Sequence, residues 1–306
     1  MKRVLVTGAT GCVGRAVTAA LLRDGWTVRG LARTAAPDFP ADLVVGDVAD
    51  PAAVRAAAEG CNCVVHLASW VHRIPRNGAD RAALRRSIID GTRNVVRAVG
   101  GARLVHASTV AVYGSFPTQP ADEDAPTAPD SPYARAKLEA EDMVRAESPS
   151  AAILRITVVY GARDRGNMAA LAHAIERRRA FVVGRGDNRK SLVHADNLAD
   201  RIALLVATDV AGTFIVADVA PTQRELMTAL ARALGRPPPP ALPRALLLVA
   251  GRLADLVAGP KWADRVRKLA APTEFSGARL DRTLGYASRL GFEEGLRAAA
   301  AWYKEA

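Results

Sequence analysis

Near its start the chain reads VLVTGATGCVGRAV, where Gly8, Gly11 and Gly14 fall three residues apart between an apolar run and an amphipathic one. That arrangement leaves little choice of fold. The first glycine permits a tight turn after a strand. The second lets backbone approach a ligand phosphate, and the third lets a helix pack closely on the strand. The following helix presents the positive end of its dipole to an anion. In a strand–turn–helix context, the triplet predicts a dinucleotide site at the edge of a parallel sheet.

The rest of the first half supplies that sheet. Short apolar runs (TVRGLAR, DLVVGD, CVVHLAS, RLVHAS, AAILRITVVYG) alternate with longer helical patterns such as PAAVRAAAEG, DGTRNVVRAVGG and SPYARAKLEAEDMVRAE. Repeated βαβ units with right-handed crossovers give an α/β fold, a doubly wound parallel Rossmann sheet covered on both faces. After Gly161 the pattern loosens, and Pro237 to Pro240 reads as a rigid connector. We expect residues 1–161 and about 188–218 to form the dinucleotide-binding domain. Residues 162–187 and 219–306 would then form a smaller, helix-rich, discontinuous substrate lobe.

Composition narrows the partners. The formal charge is +11, but the arginines are scattered, aromatics are few, and Arg177-Arg178-Arg179 reads as a solvated helix end. No nucleic-acid motif accompanies them, whereas a basic surface suits phosphate-bearing ligands. The run Val4-Leu5-Val6 is too short for a signal peptide. The stretch from Ala245 to Gly251 falls far short of the roughly 20 apolar residues of a membrane span. A cytoplasmic location is therefore expected. Cys12, Cys61 and Cys63 imply neither a disulfide framework nor a metal site.

The end of the second strand reports on the cofactor. NAD sites usually carry an acidic residue there, and an arginine can accommodate a 2′-phosphate. VRGLART offers Ala32 and Arg33 but no carboxylate, and Arg15 follows the glycine turn. The chain is expected to prefer NADP(H) over NAD(H).

Two further segments carry chemistry. SPYARAK sets Tyr133 and Lys137 four apart on a helix capped by Ser131, with Pro132 at its first position. Phenol and ammonium thus share a face, and a nearby cation is expected to lower the tyrosine pKa. That would suit Tyr133 to general acid/base work. Upstream, LVHASTVAVYGS ends a strand on Ser108 and Thr109.

With these motifs the chain resembles the extended short-chain dehydrogenase/reductases, specifically the NAD-dependent epimerase/dehydratase proteins, whose common substrates are nucleotide-diphosphate sugars. The resemblance rests on TGxxGxxG from Thr7 to Gly14, the strand before Val112-Tyr113-Gly114, and Tyr133-x-x-x-Lys137. It extends through Gly46-Asp47, His66-Leu67-Ala68, ILRITVVYGAR, RKSLVHADNLAD and RTLGYASRLGFEEGLRAAAAWY, nearly the whole chain. It implies that Thr109 is the catalytic Ser/Thr, with Ser108 supporting it. Tyr133 would exchange the substrate proton, and Lys137 would hold the nicotinamide ribose. Thr7, Cys12, Val13, Val48 and Ser69 would join the cofactor site with the glycines. Asp47 would meet the adenine, while Leu67 and Ala68 would line the channel. Asn167, Arg189 and Lys190 would meet a substrate diphosphate. A homodimer is also implied.

Departures from the family pattern sharpen the expectation. Dehydratases of this family follow the catalytic threonine with Asp-Glu, and related decarboxylases keep the Glu. Here stand Val110 and Ala111, which cannot move the protons that elimination requires. Ile88 replaces an asparagine, which removes a supporting hydrogen bond, and Ala162 replaces a proline in a loop. What remains is hydride transfer at C4 of a nucleotide-diphosphate sugar, by a 4-epimerase or 4-ketoreductase. The alternative is an NADPH-dependent ketoreductase for a more apolar substrate. ALPRALLLVAGRLADLVAG would then be an apolar lid or a membrane-surface helix rather than an ordinary packed one. A non-catalytic cofactor sensor is disfavoured, because such relatives usually lose the Tyr or the Lys.

Overall fold

The computed structural model describes residues 2–70, 75–115, 120–258, 267 and 270–305. In chain order, the first half contains β1 (Arg3–Thr7), α1 (Cys12–Arg23), β2 (Thr27–Ala32), β3 (Asp42–Val45) and α2 (Pro51–Ala58). Next come β4 (Cys63–His66), α3 (Gly78–Arg85), α4 (Gly91–Val99), β5 (Arg103–Thr109), α5 (Pro132–Glu147) and β6 (Ala152–Ile156). The second half holds β7 (Val158–Tyr160), α6 (Asn167–Glu176), β8 (Val182–Val183), β9 (Leu192–His194), α7 (Ala195–Ala207) and β10 (Gly212–Val216). It closes with α8 (Gln223–Leu234), β11 (Ala241–Leu242), α9 (Arg244–Ala258), α10 (Ala278–Leu284) and α11 (Phe292–Glu305).

Seven strands form one parallel sheet in the order β10-β6-β5-β4-β1-β2-β3. Strand alternation explains its two covers. Val4 and Val6 of β1 pack with Val17 and Leu21 of α1 and with Leu198 and Ile202 of α7. Leu5, one residue out of phase, packs with Val54, Val64 and Val95 on the opposite face. Both faces are covered, so the central strands are mostly apolar, whereas edge strand β3 is only partly buried. The order reverses between β1 and β4, which opens a crevice at the carboxyl ends of these strands.

Helices α3 and α4 are joined by a π-helical turn, Arg86–Asp90. Ile88 sits in that turn and is buried with Leu84, Ala136 and Ala140, with Tyr133 partly buried against the cluster. The position that departs from the family's asparagine therefore serves as packing under α5. Two short strand pairs, β7 with β9 and β8 with β11, lie outside the main sheet.

Candidate active site

The crevice at the switch point is a cleft of about 1080 Å³ that runs from the glycine turn to the ends of β5 and β6. Gly8 has φ +68°, and a Cβ added there would lie 2.9 Å from the Ala68 amide nitrogen. A Cβ at Gly14 would come 2.3 Å from the Gly8 carbonyl oxygen, so only glycine lets α1 approach this closely. No side chain caps the N-terminus of α1, which leaves its first amides for an anion. These features fit the pyrophosphate of a dinucleotide.

Gly11, Cys12 and Val13 form the floor of this end, and burial pushes the Cys12 thiol up to about 12. Leu67, Ala68 and Ser69 form one wall, facing Arg33, Asp47 and Val48 at the ends of β2 and β3. One Asp47 oxygen accepts from the Ala49 amide at 2.9 Å. Arg33 is exposed on the cleft wall. Arg15 lies beside the cleft lining rather than in it. Its guanidinium is held by Asp38 at 2.7 Å, and Arg163 reaches the same carboxylate at 3.1 Å. Thr7 is fully buried beneath the turn, where its hydroxyl meets His66 Nδ1 at 2.7 Å and accepts from the Ala68 amide.

At the other end, β5 terminates in Thr109, whose Oγ1 accepts from the Ala111 amide at 3.2 Å and caps a short 3-10 turn. That bond uses one of its two acceptor lone pairs and leaves the hydroxyl hydrogen able to donate. Helix α5 starts at the Ser131 cap, whose oxygen accepts from the Ala134 amide. It carries Tyr133 and Lys137 on its inner face. The Lys137 ammonium donates to the Ala107 carbonyl at 2.7 Å. Burial brings it down to about 8, against the opposing pull of Glu141.

The tyrosine corrects an expectation. Burial pushes Tyr133 up to about 12, with the Ser69 and Thr109 hydroxyls opposing the rise. Desolvation outweighs the help expected from Lys137, whose ammonium is committed to backbone. Tyr133 therefore stands as a neutral phenol and proton donor. Ser108 is also committed: its hydroxyl donates to Glu141, a fully buried carboxylate that Arg155 and Arg145 hold at 2.8 and 2.6 Å. Arg155 in turn donates to the Tyr113 hydroxyl at 2.7 Å.

The structure separates the residues expected at a diphosphate. Asn167 opens α6 at the cleft, its helix end held by Asp164, which accepts from the Gly166 and Ala169 amides at 2.7 and 3.0 Å. Arg189 and Lys190 lie outside the cleft lining. Their side chains donate to the Ala220 and Ala271 carbonyls, at 2.7 and 2.6 Å. The cations lining the cleft, among the described residues, are Arg33, Lys137 and Arg165. Arg165 escaped sequence reasoning because a loop arginine gives no periodic signal. Its position two residues before Asn167 is the clue that was available. Val110 and Ala111 line the cleft immediately after Thr109.

Known proteins with this architecture include the UDP-glucose 4-epimerase of Thermus thermophilus in complex with NAD. It superposes with a TM-score of 0.79 at 25% identity, with 99% of each chain covered. In sequence, the chain is 29% identical to the N-acetyl-alpha-D-glucosaminyl-diphospho-ditrans,octacis-undecaprenol 4-epimerase of Escherichia coli O157:H7. That match covers 96% of this chain and 92% of that protein. It is 28% identical to the ceramide reductase of Caulobacter vibrioides, over 99% of this chain and 95% of that one. The NAD dependent epimerase/dehydratase family model matches residues 4–217. With the glycine turn, the seven-stranded parallel sheet and the Tyr133–Lys137 pair in one cleft, the chain belongs to that family and is a nicotinamide-dependent enzyme of the extended short-chain dehydrogenase/reductase type.

Proposed function

We propose that the chain moves hydride at a secondary alcohol or ketone, at C4 of a nucleotide-diphosphate sugar, as a 4-epimerase or 4-ketoreductase. The observation carrying this reading is that Thr109, Tyr133 and Lys137 share one cleft with the glycine turn. Gly8, Gly11, Asp47 and Leu67 would hold a nicotinamide cofactor, which would supply or accept the hydride. Thr109 donates its hydroxyl to the C4 oxygen and holds it beside the phenol. Tyr133 gives that oxygen a proton during reduction and recovers it during oxidation. The Ser69 and Thr109 hydroxyls stabilise the phenolate formed in between, and the buried Lys137 ammonium adds a positive charge to the cleft. Arg165 and Asn167 serve the diphosphate, and the lobe of residues 162–187 and 219–306 closes the substrate side.

Elimination is outside this repertoire. Val110 and Ala111 carry no proton, and Asp164 is spent on capping α6. Exposed Arg33 supports NADP(H) as the preferred cofactor over NAD(H). A second reading is a ketoreductase for a more apolar substrate. It is favoured by the withdrawal of Arg189 and Lys190 from the cleft and by relatives that act on undecaprenol-linked and ceramide substrates.

The test is turnover of a panel containing UDP-, GDP- and dTDP-sugars, their 4-keto forms, polyprenyl-diphosphate sugars and long-chain ketones, each with NADPH and NADH. Turnover confined to nucleotide sugars upholds the first reading, and turnover confined to lipid substrates replaces it with the second. Arg33→Ser should weaken NADPH binding about tenfold, about 1.4 kcal/mol, and leave NADH binding unchanged. An equal effect on both cofactors would remove the 2′-phosphate assignment.

Activity should also depend on pH in one direction. Lys137 loses its proton as pH rises through about 8, whereas Tyr133 keeps its own until about 12. We therefore expect kcat/KM for ketone reduction to fall above pH 8. In Lys137→Arg, whose cation cannot be titrated in this range, that alkaline limb should disappear. A limb that persists unchanged in the variant would assign it to another group.

A further inference from the structure

Helix α9 is built as a surface helix with an apolar outer face. None of residues 244–250 is buried, although all but Arg244 are apolar. Leu246 is 65% exposed and Val249 55%, with Leu242 before the helix at 38%. Leu246 and Val249 are three apart and so fall on one face of the helix, while Leu242 precedes it in β11. The sequence continues the spacing with Leu253, Leu256 and Val257. Exposed apolar side chains beside one another suit a contact surface.

The helix stands on a small mount. The pairing of β8 with β11 is fastened by Val182 N–H to Pro240 and Gly184 N–H to Leu242, at 2.9 and 2.8 Å. The mount brings Gly184, and with it exposed Arg185, beside Arg244: a Cβ on Gly184 would lie 3.7 Å from the Arg244 Cβ. Arg252 and Arg267 are exposed further along. Across residues 244–268 the sequence has six cations, Arg244, Arg252, Lys261, Arg265, Arg267 and Lys268, against the carboxylates Asp255 and Asp264. Among the described residues, none of 244–250 lines the catalytic cleft, so the face is not a wall of the active site.

We propose that α9 docks on an anionic lipid bilayer, with Leu242, Leu246 and Val249 in the headgroup–acyl boundary and the flanking arginines among the headgroup phosphates. Apolar exposure alone would suit any apolar partner. The excess of cations selects an anionic surface, because basic residues beside an amphipathic face add attraction to acidic lipids. Such a helix lies on the membrane without crossing it; among the described residues, no helix is long and apolar enough to span. The inference stands apart from the identity of the substrate.

The test is flotation of the full chain with vesicles of phosphatidylcholine alone and of phosphatidylcholine containing 30% phosphatidylglycerol, at about 0.1 M salt where surface charge is still felt. At least tenfold more protein should float with the anionic vesicles. Leu246→Asp/Val249→Asp should abolish that binding, and Arg244→Glu/Arg252→Glu should remove the preference for phosphatidylglycerol. NADPH binding in both variants should match the parent and report an intact fold. Equal flotation with both vesicles, no flotation with either, or unchanged binding by the aspartate variant would overturn the proposal. So would a solution dimer of the parent that the aspartate variant dissociates, since a second copy would then own the face.

Discussion

Tyr133→Phe should lower kcat by about 10²–10⁴-fold while NADPH binding changes by less than twofold. The phenol is the cleft group proposed to give the proton at neutral pH. It stays protonated up to about 12, and the Thr109 hydroxyl stands beside it. Lys137 cannot take over, because its ammonium is buried against the Ala107 carbonyl. The ring of phenylalanine keeps the packing against Ile88, so the fold and cofactor cradle should survive. Single-turnover kinetics with a ketone substrate, alongside fluorescence titration of NADPH, separates the two quantities. Retention of more than a tenth of the parental rate would remove Tyr133 as the acid/base.

Glu141→Gln should cost about 3–5 kcal/mol of stability, the usual loss when one partner of a buried ion pair is removed. Glu141 has no exposed surface and binds Arg155, Arg145 and the Ser108 hydroxyl together. The amide would keep the shape but leave Arg155 buried without its counter-charge. Ser108 and Arg155 face each other across the β5–β6 pairing, so the loss reaches the strand end that carries Thr109. Urea denaturation measures the effect. Glu141→Leu combined with Arg155→Met should recover most of it, because an apolar pair incurs no desolvation cost. A single variant within 1 kcal/mol of the parent would contradict this account of the cluster.

Much of the architecture could be read from the chain because its signals are local. Gly8, Gly11 and Gly14 specify a turn between adjacent elements, and Tyr133 and Lys137 share a helix face by spacing alone. The sheet follows from repeated apolar runs, each short enough to be a strand. What spacing could not supply were the partners distant in sequence. Arg15 is bound by Asp38, Ser108 by Glu141, and Arg189 and Lys190 by carbonyls of Ala220 and Ala271. A cation in a matching segment says nothing about which carbonyl or carboxylate the fold delivers to it. The direction of the Tyr133 shift was missed for a related reason. Spacing reveals a nearby ammonium, whereas the depth of burial that overrides it emerges only when α3, α5 and the β5 end assemble. Arg165 went unnoticed because neither periodicity nor motif marks a loop residue.

The exposed pairs at Asp38 differ in kind from the buried cluster at Glu141. The Asp38 carboxylate is exposed and shared by Arg15, on the helix of the glycine turn, and Arg163, on the loop leading to α6. It therefore ties α1 to the loop before α6 with charges open to water. Dissolved ions weaken such pairs far more than buried ones. Ionic strength is thus a selective handle on this enzyme: added salt slackens the tie between α1 and the loop before α6 and leaves the Glu141 cluster beneath the catalytic strand intact.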